Sequence, residues 1–158
     1  MKPSLKARAI ALLSRREHSR VELRRKLAPH SDDPAELERT LDELERANLL
    51  SSERFAESLL HRKAQRHGSR RIVQELRGHD LPEDTISRMQ ASLQASEYER
   101  AREVWVRKFG AAPADAKEYA RQFRFLANRG FPPDCLRRIL AEMGDSSNDE
   151  SAFFESDY

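Results

Sequence analysis

Residues 19–27 read Ser19-Arg-Val-Glu-Leu-Arg-Arg-Lys-Leu27, and residues 68–76 read Gly68-Ser-Arg-Arg-Ile-Val-Gln-Glu-Leu76. In the first stretch Ser19 and Glu22 have the spacing of a capping box, each satisfying a backbone N–H that the first helical turn leaves orphaned. Leu23 and Leu27 then share one face of a short helix. In the second stretch Gly68-Ser69 breaks the chain, and Ile72, Val73 and Leu76 ride a short helix in the same way. Each short helix is framed alike. Before the first lies a longer amphipathic stretch, roughly 4–16, with Leu5, Ala9, Leu12 and Leu13 on one face, and before the second lies one over roughly 52–66, with Phe55, Leu59 and Leu60. After them come helix starts with strong signals. Asp33-Pro-Ala-Glu36 opens residues 34–47, with Leu37, Leu41 and Leu44, and Pro82-Glu-Asp84 opens a helix with Ile86, Met89 and Leu93.

A third round follows. Ser96-Glu-Tyr-Glu99 reads as a capping box before Ala101, Val104, Trp105 and Phe109. Residues 115–129 carry Tyr119, Phe123 and Leu126, and Pro133-Asp134 starts a last helix with Leu136, Ile139, Leu140 and Met143. All 5 glycines and all 7 prolines fall between these stretches, as they should where Gly costs a helix interior about 1 kcal/mol and Pro about 3. The punctuation predicts about nine helices at a period of about 45–50 residues, the mark of a stacked array. The expected fold is all-α, an elongated, curved array of three tandem three-helix repeats over residues 1–50, 51–94 and 95–143. A single nine-helix globule is the alternative. Residues 144–158, rich in Ser and Asp with Phe153-Phe154 as the one apolar feature, are expected to be a disordered acidic tail.

Composition agrees with a helical, thinly cored chain. Charged residues make up 35% of the 158 and the hydrophobic set 38%, and the aliphatic residues are chiefly Leu, which favours helix over strand. The net charge of +2 hides an asymmetry. Of the 27 acids, 5 lie in residues 144–158, so residues 1–143 hold 22 acids against all 29 basic residues, a net of +7. A basic body suits a polyanion or an acidic protein surface. Cys135 is the single cysteine, so no intrachain disulfide can form and a reducing compartment is expected. No window approaches a membrane span and no apolar signal core precedes the first helix, so no membrane partner and a cytoplasmic location are expected.

No catalytic constellation appears, and none of catalysis, cofactor or metal is expected. The glycines are isolated rather than gathered in a phosphate loop. His18, His30, His61, His67 and His79 lack ligand spacing, and a lone Cys135 cannot complete a zinc site. Acid pairs such as Asp32-Asp33 and Asp42-Glu43 fall at caps or on solvated faces. Trp105 and Phe109, one turn apart, read as core because they share a face with Ala101.

The basic tracts carry more information. Arg15, Arg16, Arg20, Arg24, Arg25 and Lys26 flank the first short helix, Arg62, Lys63, Arg66, Arg70 and Arg71 flank the second, and Arg121, Arg124 and Arg129 hold the equivalent place in the third round. Stacked regularly, they would form one stripe facing phosphates or carboxylates, to which the guanidinium fork pairs bidentately. A helix-turn-helix reading is also open, as a helical DNA-binding transcriptional repressor. Against it, residues 34–47 set Glu36, Glu38, Asp42, Glu43 and Glu45 against Arg39 and Arg46, a balance that phosphates repel. A helical scaffold with no nucleic-acid role is a further alternative.

Four segments in order resemble the RecX family of regulators of the RecA recombinase. They are Arg15-Arg-Glu-His-Ser-Arg-Val-Glu-Leu23, Leu49-Leu-Ser-Ser-Glu-Arg-Phe-Ala-Glu57, Gly68-Ser-Arg-Arg-Ile-Val-Gln-Glu-Leu76, and Arg107-Lys-Phe-Gly110 followed by Tyr119-Ala-Arg-Gln-Phe-Arg-Phe-Leu-Ala-Asn-Arg-Gly-Phe131. The resemblance covers roughly residues 5–143. Asp80 stands where the family usually has Gly, and the acidic tail lies outside the pattern. The resemblance implies a tandem three-helix array lying in the groove of the RecA-DNA filament. It also implies a negative regulator that lowers strand exchange, ATP hydrolysis and co-protease activity, and so moderates recombination, DNA repair and the SOS response. The expected partners are the RecA filament and, weakly and without sequence preference, DNA, with the protein itself a monomer. The acidic tail is expected to compete for the basic stripe.

Overall fold

The computed structural model describes residues 1–152, which form helices and turns with no strand among them. The helices are α1 (Leu5–Leu13), α2 (Arg20–Leu27), α3 (Pro34–Arg46), α4 (Ser52–Lys63), α5 (Ser69–Arg77), α6 (Glu83–Lys108), α7 (Ala116–Asn128) and α8 (Pro133–Ala152), with a 3₁₀ turn at Ala28–His30 after α2. The all-α reading therefore holds.

The capping signals work as their chemistry demands at most starts. Ser19 Oγ accepts from the Glu22 N–H at 3.1 Å while the Glu22 carboxylate accepts from the Ser19 N–H at 3.3 Å. Asp33 accepts from the Ala35 N–H at 3.0 Å with Pro34 at the first helical position, and Asp115 accepts from the Glu118 N–H at 2.8 Å. Each such cap stabilises its helix by about 1 kcal/mol. Asp80 follows α5 with φ 51°, so it makes the left-handed turn expected of a Gly.

Two expectations are corrected. The break foreseen at Ser96 is absent: α6 runs unbroken from Glu83 to Lys108. Its middle contains neither Gly nor Pro, and Ser96 Oγ donates back to the Leu93 carbonyl at 3.3 Å, a mid-helix bond a Ser can make without ending the helix. Likewise α8 passes through Gly144 and continues to Ala152, where Gly144 was expected to end it. Extending a formed helix is cheap once its nucleus is in place, and Gly144 subtracts only about 1 kcal/mol. Residues 153–158, with Phe153-Phe154, lie outside the described residues.

The chain divides into two compact units. The first comprises Met1–His61 with Gln74–Met89. Its core gathers Leu5, Ala9, Leu23, Leu27, Leu37, Leu41, Leu44 and Leu50, with Leu12 and Leu13 half-buried against them. The second comprises Arg62–Val73 and the chain from Gln90 onward. Its core gathers Ala101, Val104, Trp105, Leu126, Phe131, Leu136, Ile139 and Leu140. Burying each of these large apolar side chains contributes about 1.5–3 kcal/mol. Trp105 is a core residue, its indole N–H donating to Gln122 Oε1 at 2.8 Å. A polar brace crosses the second unit. Glu97, buried, accepts from both the N–H and the Oγ of Ser69 at 3.0 Å and pairs with Arg100 at 2.8 Å. Arg100 in turn donates to the carbonyls of Ala64, His67 and Leu93 and lies over the Phe131 ring. Glu97 thus caps α5 from another helix instead of opening one of its own.

Candidate anion-binding surface

The basic side chains singled out in the sequence meet three different fates. In the first unit half of them, Arg16, Arg20 and Arg24, are met by acids. Arg20, on α2, reaches three carboxylates of α3: Glu38 and Asp42 at 2.8 Å and Glu45 at 3.1 Å. Arg24 joins it on Glu38 at 2.6 Å. These two arginines hold the Glu38 carboxyl down at about 2, Arg24 first and Arg20 second. Burial opposes the charge of Arg20, but the hydrogen bonds it donates to Glu38, Asp42 and Glu45 outweigh it and raise the guanidinium further. Arg16 pairs with Glu22 at 2.7 Å. The acid-rich face of α3 therefore serves α2, and Arg20 and Arg24 are largely neutralised.

A second set in this unit has no carboxylate partner among the described residues. Arg15 and Arg25 are exposed and make no ion pair there, and Lys26 Nζ meets His18 Nε2 at 3.2 Å. His18 is buried, and burial is the main cause lowering its proton affinity. Arg15 and Lys26 come together with Arg8 and His30 at the rim of a groove of about 500 Å³, floored by Ala7, Ala11, Leu12 and Leu27.

In the second unit Arg62, Arg66, Arg70 and Arg71 are exposed without an ion pair among the described residues, while Lys63 is half-buried. Arg121 is paired with Glu118 at 2.7 Å and lies over the Phe109 ring, and Arg124 is exposed, again with no ion pair among those residues. Arg129 is drawn beside Arg66. These two, with Arg107 and Lys108 from the end of α6, surround a cavity of about 390 Å³ whose apolar wall is Val104 and Phe125. Arg107 and Lys108 escape a reading by repeats because they lie at the C-terminal end of a long helix. Basic residues there are expected for the helix dipole alone, and only folding reveals that they face Arg66.

Among the described residues no group of three His, Cys, Asp or Glu is placed to hold a metal ion. Cys135 is half-buried, and burial first, with the nearby charge of Glu97 second, pushes its thiol up to about 11, the opposite of an activated nucleophile. No helix among the described residues is long and apolar enough to cross a membrane.

Comparison with known proteins adds independent information. The first, second and third three-helix domains of RecX match residues 6–44, 53–89 and 95–140. The chain is 55% identical over 137 residues to a regulatory protein RecX of Ralstonia nicotianae, covering 87% of this chain and 86% of that one. It is 42% identical over 149 residues to a regulatory protein RecX of Neisseria meningitidis serogroup C, covering 93% and 97%. Among solved structures, RecX from Lactobacillus salivarius superposes with a TM-score of 0.72 at 17% identity, over 89% of this chain and 94% of that chain, a likeness of fold.

Proposed function

The chain belongs to the RecX family, and from that premise we propose that it is a non-enzymatic negative regulator of the RecA recombinase. In this reading it binds the RecA-DNA filament in the cytoplasm as a monomer, without a cofactor, and moderates recombination, DNA repair and the SOS response. Free DNA is bound weakly and without sequence preference.

The observation that supports it most is the run of cationic side chains on the second unit that carry no carboxylate. Arg62, Arg66, Arg70 and Arg71 are exposed, and no ion pair among the described residues neutralises them. A buried or paired guanidinium has little left to offer a partner, whereas these keep their full charge for phosphates or for acidic loops of a protein filament. Each interaction is weak alone, and several on one chain multiply through effective concentration.

The test is strand exchange by RecA with a quadruple alanine variant of Arg62, Arg66, Arg70 and Arg71 beside the parent. The variant is expected to inhibit at least tenfold less well while keeping its helical spectrum. Equal inhibition would remove this surface from the mechanism. A tight, sequence-preferring duplex complex by the parent would favour the repressor instead.

A further inference from the structure

We propose that the cavity framed by Arg66, Arg107, Lys108 and Arg129 is a binding site for the sugar-phosphate backbone of a single-stranded nucleic acid. It deepens the reading above, on which it rests for its biological setting but not for its chemistry.

Four cations converge on one cavity of about 390 Å³, and no acid among the described residues lines it. This is unlike the first unit, where Arg20 alone meets three carboxylates. Here the partners are neutral. Arg107 donates to the Gln65 carbonyl at 3.0 Å. Lys108 Nζ stands 5.2 Å and the Arg129 guanidinium 4.9 Å from the centre of the Phe125 ring. A carbonyl and an aromatic face orient a cation without cancelling its charge. Phe125 is itself held by Phe109, edge-on at 5.4 Å. The charges are therefore placed before a ligand arrives, which lowers the ordering cost of binding one.

The number of charges selects the ligand. A single side-chain carboxylate would leave three cations unanswered. A nucleic-acid strand brings one negative charge per nucleotide at close spacing, so two or three consecutive phosphates can be met together. The apolar wall of Val104 and Phe125 suits the sugar between them. The Phe125 ring is already taken by Lys108 and Arg129, so no bare aromatic face is offered to a base, and recognition is of backbone rather than sequence.

The experiment uses the full chain and a fluorescent oligothymidylate, with binding followed by anisotropy across a salt series. Two variants carry the same change of net charge. One is Arg66→Ala with Lys108→Ala, at the cavity. The other is Arg77→Ala with Arg88→Ala, exposed arginines paired to Glu83 and Glu53 on the first unit. The cavity variant is expected to bind about tenfold more weakly at low salt. Its slope of log affinity against log salt should fall by about 1.4, since each phosphate of a single strand that is no longer neutralised takes away about 0.7. The control is expected to keep the parent's slope. Equal weakening in both variants would assign binding to overall charge and overturn the site. Unchanged oligonucleotide binding, with capture on RecA filaments abolished, would assign the cavity to an acidic protein surface and overturn it as well. Both substituted positions are exposed, and matching thermal melts establish that folding is intact; should the melts differ, Arg66→Glu alone is read by the same slope. No recombinase enters the oligonucleotide measurement, so failure of the regulatory reading and failure of the site are separately visible.

Discussion

Gly68 and Gly130 meet backbone against backbone. The Gly68 N–H donates to the Arg129 carbonyl at 2.7 Å and the Arg70 N–H to the Gly130 carbonyl at 3.1 Å. A β-carbon at Gly68 would lie 2.3 Å from the Gly130 carbonyl carbon, and Gly130 is held at φ +94°. This approach seats the α4–α5 turn on the α7–α8 turn, and so places Arg66 beside Arg129.

Gly68→Ala is accordingly expected to lower unfolding free energy by about 3 kcal/mol, the upper range for forcing an atom into a packed site. Gly144→Ala, whose added β-carbon would meet no atom of another turn or helix among the described residues within 4 Å, should instead raise it by about 0.5–1 kcal/mol through helix propensity. Urea denaturation of both variants checks the pair. A tolerated Gly68→Ala would show that the two turns do not meet as described.

Removing the Glu97 carboxylate takes the acceptor from the Ser69 N–H and hydroxyl and the counter-charge from Arg100, which keeps only its neutral acceptors. Glu97→Ala is expected to destabilise by about 3 kcal/mol, since it leaves a buried charge without its partner. Ser96→Ala, which takes one neutral acceptor from Arg100 Nε at 2.9 Å and leaves the Glu97 charge in place, should cost only about 1 kcal/mol. Thermal melts of the two distinguish a brace at Glu97 from a cap at Ser96.

The Glu38 carboxyl sits at about 2, chiefly through Arg24 and then Arg20. Its folded value lies below the ordinary 4.5, so the ion pair stabilises the fold above that pH and its contribution disappears as pH falls toward about 2. Because Glu38 is 44% exposed, solvent screening limits the effect to about 1 kcal/mol. Stability measured from pH 5 to pH 2 should drop by that much more in the parent than in Glu38→Gln. Identical profiles would mean the pair contributes nothing.

Cys135 is expected to resist thiol reagents at pH 8 until the chain unfolds, with its thiol near 11. A native-state reaction as fast as that of free cysteine would contradict the burial that raises it. Under the proposed regulatory function, Cys135→Ser should leave inhibition of strand exchange unchanged.

Asp80 occupies a left-handed turn at φ 51°, a conformation costing a residue with a side chain about 1–2 kcal/mol relative to glycine. Asp80→Gly should therefore stabilise the chain by about 1 kcal/mol in the same urea assay. A decrease instead would show that the carboxylate contributes locally more than the backbone strain costs.

The helical class, the caps at Ser19 and Asp33 and the apolar faces of Leu23, Leu27, Leu37, Leu41 and Leu44 were legible in the sequence. They depend on spacings of three and four residues, which are local physics. The break at Ser96 was misread for the same reason. A Ser followed by Glu three residues on signals a helix start only if the backbone there is not already helical, and α6 is. Of the candidate site, Arg66 and Arg129 were legible as basic positions, but Arg107, Lys108 and the convergence of all four lay beyond local signals. Which arginines are quenched by acids, as Arg20 is by α3, and which remain charged, as Arg66 does, depends on what each side chain meets across tens of residues. Patterning determined that this chain is helical and basic. Only the packing of Gly68 on Gly130, and of Phe125 beneath Lys108 and Arg129, decided where that charge is left uncompensated, because a charge is neutralised by proximity in space and not by position along the chain.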